Sequence, residues 1–278
     1  MRAYFLAHLG IGDFFYCVGA LRFLTLFYDK VFCLCKDVNI ENLTMVFSNT
    51  DKIICIPVRT DIPEIDACKE ILHDKYESND VFICGDYQIP HHHSKITNHD
   101  FLNYQVVGKQ YTLDCDMIND NVYAFIKHMY NHAKIPLSVM FDYWHIDYTE
   151  TSKMLYESVR HYRIIFLQTQ SSNNKRLNIT KLLKKNLCDE NTIMISNDEN
   201  LYEHVDIQTP DIERKRTLCQ QFVRNKFVYY IDTLMQSNEI YIIDSCFVGL
   251  VLPLYKQNKL IASPLRIIIR RNADSIEL

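Results

Sequence analysis

The chain contains little glycine: six residues in 278, with seven prolines and one tryptophan. Other shortages exclude whole classes of function. Its 30 Lys and Arg against 34 Asp and Glu give a formal net charge of −4, without the basic surface that counterion release on nucleic acid requires. Among ten cysteines no C-x-x-C pair occurs, which excludes a zinc ribbon or a thioredoxin-type site. No uninterrupted apolar run reaches the length that crosses a bilayer. Arg2 and the apolar run after it faintly imitate a signal peptide, but His8, two glycines and Asp13 interrupt it and no A-x-A site follows. Cys33, Cys35, Cys55, Cys84 and Cys246 lie inside apolar runs, where a thiol behaves as a small hydrophobe, and many such thiols fit a reducing compartment. The expectation is a soluble, cytoplasmic protein. Its richness in Ile, Asn, Lys and Tyr suits an AT-rich genome such as that of a large virus.

What is present is ordinary core material, 48% hydrophobic and 23% charged, enough for two domains of roughly 130–150 residues. Apolar runs at 3–8, 30–36, 51–58 and 80–86 read as strands. They are separated by helical patterns at 13–28, 39–48 and 62–76. Strands apolar on both faces and alternating with helices mark a parallel sheet covered on both sides. Residues 87–115 are polar and without clear period, and a helix near 117–133 follows, stopped by Pro136. Trp144 reads as an anchor between domains. A helix at 151–162 precedes a second strand-first series. That series has strands at 163–170, 191–198 and 239–244, and helices at 179–187, 211–225, 229–236 and from Ser245 to about Lys256. "KLIAS" and "LRIIIRR" read as closing strands. The expected architecture is α/β: domains 1–150 and 151–278, two Rossmann-like units with parallel sheets facing across a cleft.

Three polar stretches fall at predicted strand ends, the edge where open α/β sheets bind ligands. In "HLGIGDFF", Gly10, Gly12 and Asp13 join the first strand to its helix. Phe15 stands where a dinucleotide fingerprint needs its third glycine, and no G-K-[ST] follows for a P-loop. The glycines either ease the turn, with Asp13 capping the helix, or let a substrate approach, with Asp13 as general base toward a hydroxyl. The loop Ser171-Ser172-Asn173-Asn174-Lys175-Arg176 precedes a helix. It is either a solvated basic turn or a pyrophosphate cradle. Asp244 and Ser245 lie at the last strand-to-helix junction, as helix cap or as part of the same rim. Asp198 and Glu199 end another strand and are candidates to hold a ribose or base. Adjacent histidines point in different directions and seldom share a metal, so His91 and His92 read as acceptor contacts and no metal site is expected.

Taken in order, these residues resemble the heptosyltransferase-like glycosyltransferases of family 9. "HLGIGDFFYCVGALRFL" is similar to that family's strand ending in G-x-G-D with a following A-L-R, here Gly10, Gly12, Asp13, Ala20, Leu21 and Arg22. "LQTQSSNNKRLN" resembles its loop with K-R-W-P, keeping Lys175 and Arg176 while Leu177 and Asn178 replace Trp-Pro. "IYIIDSCFVGLVLPL" resembles its D-[ST]-G-x-x-H, keeping Asp244 and Ser245, with Cys246 for the glycine and Gly249 for the histidine. The resemblance implies a GT-B fold, with the acceptor mostly on the first domain and the nucleotide sugar on the second, usually without a metal.

The expected function is therefore inverting transfer of a sugar from a nucleoside-diphosphate sugar to a hydroxyl of a glycan, glycoprotein or lipid. No cofactor or metal is expected. Asp13 is the base, and Ser171, Ser172, Lys175, Arg176, Asp198, Glu199, Asp244 and Ser245 hold the donor. Gly10, Gly12, His91 and His92 meet the acceptor. Two alternatives remain: a GT-B-like binding or assembly protein without turnover, favoured by Cys246 and Gly249, and a nucleotide-sugar epimerase, which needs more acid and base groups than can be placed.

Overall fold

The computed structural model describes residues 1–75, 80–84, 120–171, 174–199, 201–202, 211–262 and 264–268. These divide into two compact units, one holding the described residues up to Asp147 and the other those from Tyr148 onward.

In the first unit, β1 (Arg2–Leu6), β2 (Lys30–Lys36), β3 (Ile53–Val58) and β4 (Val81–Cys84) form a parallel sheet in the order β3-β2-β1-β4. The chain builds outward from β1 to β3 and then returns to add β4 on the other side of β1. The strand order therefore reverses beside β1, which makes its carboxyl end the topological switch point of the sheet. Arg2 at the start of β1 holds Asp80 before β4 through two hydrogen bonds of 2.9 and 2.6 Å, and the Asp80 side chain is almost wholly buried.

Helix α1 (Ile11–Leu24) follows β1, and every residue from Phe14 to Leu21 is buried. A helix apolar all round must lie inside its unit rather than on its surface. Gly19 makes this possible: a Cβ there would stand 2.5 Å from the Val139 carbonyl oxygen and 2.8 Å from Met140 Cα. Both residues belong to the single-turn helix α5 (Val139–Asp142). On one side of the sheet Tyr4, Leu6, Leu34, Ile56 and Val58 pack with Ala67 and Cys68 of α3 (Glu64–Lys75). Helices α2 (Ile40–Val46) and α4 (Asp120–His132) complete the unit.

The second unit opens with α6 (Glu150–Val159), capped by Thr149, whose hydroxyl accepts the Ser152 amide at 3.0 Å. Strands β5 (Arg163–Gln168), β6 (Thr192–Ser196), β7 (Glu239–Ile243) and β8 (Leu265–Ile268) form a second parallel sheet in the order β6-β5-β7-β8. Its switch point lies between β5 and β7. Helices α7 (Thr180–Asn186) and α8 (Ile212–Gln220) contribute Leu182, Leu183, Ile212 and Cys219 to the core cluster containing Ile165, Leu167 and Met194. A second cluster gathers Phe166, Tyr230 and Phe247, with Tyr230 edge to face on both phenylalanines and ring centroids 5.2–5.9 Å apart. Around it lie α9 (Ile231–Gln236) and the apolar α10 (Val248–Lys256).

Several boundaries differ from the sequence expectation, among them helix α1, expected at 13–28, and helix α8, expected at 211–225, and three have a clear local reason. Helix α10 starts at Val248, not Ser245, because Ser245 to Val248 form a separate turn closed by the Val248 amide on the Ser245 carbonyl at 3.0 Å. The segment "KLIAS" forms no strand over its described residues 259–262. Its first residue is spent ending α10: Asn258 is left-handed (φ 56), and the Asn258 and Lys259 amides cap the Tyr255 and Leu254 carbonyls at 2.9 Å, the pattern of a Schellman motif. Helix α4 ends the same way before Pro136 is reached, with Lys134 at φ 55 and the Ile135 amide on Tyr130. Among the described residues no glycine has positive φ, and Lys134, Asn174, Arg224 and Asn258 take those positions instead.

Candidate functional site

The first group of predicted residues gathers at the carboxyl end of β1. Gly10 is the N-cap of α1 at φ −65 and ψ 139, with no side-chain capping bond. Any residue adopts that backbone, so the turn does not require glycine for its torsions, and Asp13 is not the cap. What Gly10 supplies is space. A Cβ there would lie 2.6 Å from Asp13 Oδ2 and 3.4 Å from His8 Nδ1, so its absence leaves the hollow into which the Asp13 carboxylate folds. Asp13 sits in the first turn of α1, where the positive end of the helix dipole favours its charge.

In the sequence His8 is only a break in an apolar run, yet it is the centre of this group. His8 Nδ1 lies 3.0 Å from Asp13 Oδ2, and its Nε2 lies 3.7 Å from Glu64 Oε2 at the start of α3. Glu64 Oε1 in turn meets Lys36 Nζ at 2.6 Å, at the end of β2. Burial works against a charged Glu64, but the Lys36 hydrogen bond, the His8 and Lys36 charges and the Leu9 amide together hold its carboxyl below the usual range. The result is a row of alternating charge-bearing groups, Asp13, His8, Glu64 and Lys36. It lies across the ends of β1 and β2 with the His8 side chain half exposed. Gly12, the second residue of α1, is half-buried beside it.

The second group lies at the carboxyl ends of β6, β5 and β7. Thr169, just past β5, donates its hydroxyl to Asp198 Oδ2 at 2.8 Å, just past β6. On the other side Ser245, just past β7, donates its hydroxyl to Gln168 Oε1 at 2.9 Å. Side-chain hydrogen bonds thus link three neighbouring strand ends. Gln168, Thr169, Ser171 and Ser245 are all buried, so the rim is fixed by its own polar contacts. Gln168 and Thr169 were not singled out in the sequence. Their signal is two polar residues at the end of the otherwise apolar strand "RIIFLQT".

The Lys-Arg loop does not run directly into the helix that follows it in the sequence. It doubles back on itself: the Ser171 amide donates to the Lys175 carbonyl at 2.9 Å, Gln170 pairs with Arg176 in an antiparallel bridge, and the Leu177 amide returns to Thr169 at 2.9 Å. Asn174 at φ 63 makes the reversal. Lys175 is half-buried and Arg176 exposed on this hairpin, and α7 begins only at Thr180. Glu199 is paired with Arg224 at 2.7 Å, and Asp244 is half-buried at the end of β7. His91, His92 and Ser172 lie outside the described residues. Asp13 belongs to the first unit, and the other described candidates beyond Gly10 and Gly12 belong to the second. Among the described residues no group of three or more His, Cys, Asp or Glu is placed to hold a metal ion, and no helix is long and apolar enough to cross a membrane.

Two parallel α/β units, each carrying its polar residues on the carboxyl edge beside the switch point, define the α/β GT-B class of fold. Two solved structures make the likeness particular. The ADP-heptose LPS heptosyltransferase II of E. coli superposes with a TM-score of 0.58 at 10% identity, over 100% of this chain and 95% of that one. A family 9 glycosyl transferase of Veillonella parvula superposes with a TM-score of 0.51 at 11% identity, over 99% of this chain and 87% of that one. No protein-family model and no curated protein sequence matches the chain. At such identities the likeness establishes the fold.

Proposed function

We propose that the protein is an inverting glycosyltransferase that moves a sugar from a nucleoside-diphosphate sugar to an acceptor hydroxyl on a glycan, glycoprotein or lipid, without a metal cofactor. The observation that carries this reading is the Asp13 carboxylate at the switch-point end of β1, in a hollow that exists because residue 10 has no side chain. A general base in such a place takes the proton of the attacking hydroxyl. Negative charge then grows on the departing diphosphate. Lys175, Arg176 and Ser171 of the second unit, with Ser172 of the same stretch of sequence, are the donors assigned to that charge, each preorganised donor contributing about 3 kcal/mol. Asp198, Glu199 and Asp244 hold the rest of the donor. The solved neighbour named for ADP-heptose supports a nucleoside-diphosphate donor, and the buried thiols Cys17, Cys33, Cys35 and Cys219 suit a reducing cytoplasm.

A second reading, a binding or assembly protein without turnover, is favoured by Gly249, which brings no side chain to the first turn of α10. The test is to incubate the protein with a panel of nucleoside-diphosphate sugars and hydroxyl acceptors and follow acceptor-dependent release of the nucleoside diphosphate. Release that drops at least a hundredfold in Asp13→Asn, on the order expected for a lost general base, supports the transferase. Donor binding without release from any donor–acceptor pair favours the second reading, and release that persists undiminished in Asp13→Asn removes Asp13 from the role of base.

A further inference from the structure

The contacts of His8 Nδ1 cannot all be satisfied in one protonation state. The Gly10 amide points its hydrogen at Nδ1 from 3.2 Å, which requires a bare, accepting nitrogen. Asp13 Oδ2 lies 3.0 Å from the same nitrogen, which requires one proton between nitrogen and oxygen. With Nδ1 bare and Asp13 ionised, two lone pairs would face each other at hydrogen-bond distance. A proton placed between them turns the Asp13 contact into a hydrogen bond at the expense of the Gly10 contact, because Nδ1 has a single lone pair, so His8 alternates between a bare state that accepts the Gly10 amide and a protonated state that binds Asp13.

We propose that Asp13 and His8 work as one proton-sharing unit, in which Asp13 removes the proton from the acceptor hydroxyl and His8 Nδ1 takes it over. This rests on the transferase reading for its role in turnover, but not for the existence of the pair. In the transfer step the acceptor O–H bond breaks and its electron pair forms the bond to the anomeric carbon. The bond from that carbon to the diphosphate oxygen breaks, with its pair leaving on the diphosphate. The proton arrives on an Asp13 carboxylate oxygen and passes from Oδ2 to Nδ1, which gives up the Gly10 amide and becomes part of an imidazolium. Asp13 is a carboxylate again, and the half-exposed imidazolium releases its proton to water.

The surroundings fit this assignment. Among the described residues the charged groups facing His8 are Asp13 from α1 and Glu64 from α3, with Lys36 at the end of β2 behind Glu64. Glu64, 3.7 Å from Nε2, stabilises the imidazolium, while its bond to Lys36 holds it in place and ionised. Asp13 touches the acceptor and is the catalytic residue. His8 acts through it, and Glu64 acts through His8.

Two measurements on the full chain test this. The first follows the His8 imidazole by NMR across pH in the wild type, Asp13→Asn and Glu64→Gln. The expected result is a titration midpoint that moves to lower pH in both variants, since each removes a negative neighbour. A midpoint unmoved in both overturns the pair, whether or not the protein transfers sugar. The second measures acceptor-dependent turnover in His8→Asn, which keeps an amide nitrogen near the Nδ1 position but takes up no proton, and in His8→Ala with added imidazole. Turnover is expected to fall about tenfold to a hundredfold in both, with donor affinity unchanged and partial rescue of His8→Ala by imidazole. Full activity in His8→Asn overturns the relay and leaves His8 a spacer. A moved midpoint in a protein that transfers to no acceptor supports the pair and refutes the transferase reading alone.

Discussion

Gly10→Ala separates the space at the β1 end from the backbone around it. The native torsions, φ −65 and ψ 139, are open to alanine, so the substitution carries no backbone penalty and slightly stiffens the unfolded chain. Its whole effect falls on one contact. The new methyl would stand 2.6 Å from Asp13 Oδ2, and ordinary contact at 3.4 Å requires the carboxylate to retreat by about 0.8 Å. An aspartate turned off its rotamer by that much costs about 0.5–1.5 kcal/mol, a fall in thermal midpoint of about 1–6 °C. The functional cost is larger, because displacing a reacting group by about 1 Å reduces turnover about a hundredfold. The assay pairs thermal unfolding with acceptor-dependent nucleoside-diphosphate release. The control is Gly19→Ala, whose methyl would meet the α5 backbone at 2.5–2.8 Å. That clash is relieved only by parting the helices, so a loss of about 1–3 kcal/mol or more is expected, with turnover per folded molecule kept. A Gly10→Ala protein that keeps full turnover would refute the idea that the hollow exists for Asp13, and one that fails to fold would mean the glycine serves the turn itself.

Arg22, part of the A-L-R that marks the family resemblance, has a structural occupation. Its guanidinium donates to the His145 carbonyl at 2.8 Å, to the Val46 carbonyl at 3.0 Å and to Asn49 Oδ1 at 3.2 Å, so Arg22→Met should lower stability by about 2 kcal/mol in denaturant unfolding and leave donor affinity intact. Weakened donor binding in a protein of unchanged stability would contradict this. Glu64 gives a pH signature. Its carboxyl is held below the usual range, so its contribution to stability is complete above the unfolded value of about 4.3 and is lost as pH falls through the folded value. Thermal midpoints measured down through that region should therefore decline more steeply for wild type than for Glu64→Gln, and parallel curves would mean the Lys36 pair adds nothing.

The alternation of apolar strands and helices was legible because a parallel sheet covered on both faces leaves a period in the sequence that no other arrangement shares. Strands β2, β6 and β7 lie within two residues of their expected ends. What misled was punctuation. In most chains a glycine marks a left-handed helix end, and this one closes α4 and α10 with Lys134 and Asn258. Nothing in "AKIP" or "QNKLIAS" announces that, so the residues after α10 read as a strand. The scarcity of glycine that hid these ends also gives the remaining glycines their meaning. Gly10 and Gly19 each stand where a methyl would meet another atom closer than 3.0 Å. They are kept for contact, not for torsion.

The site was legible to the extent that its parts are local. Asp13 and Gly10 are three residues apart at one strand end, and the motif announces both. His8 is equally near, but an isolated histidine after an apolar strand says nothing until its partners are known. Those partners are set by the sheet: parallel pairing places Cys33 opposite Phe5, which carries the end of β2, and Lys36 with it, alongside the β1–α1 turn. Helix α3 then delivers Glu64, twenty-eight residues further on, to the same place. The second rim follows the same rule, since Ser245 reaches Gln168 across 77 positions because β7 adds beside β5. In both units the residues visible in the sequence are those on the β-α turns, while the ones that hold them, His8, Glu64, Gln168 and Thr169, become visible only when strand order brings distant ends together. If that division is general to this chain, a substitution at a holding residue disturbs the strand ends it braces and leaves those of the other unit as they were. Donor affinity measured across Gln168→Ala, Thr169→Ala and His8→Asn tests this: loss in the first two with none in the third is expected, and equal loss in all three would refute it.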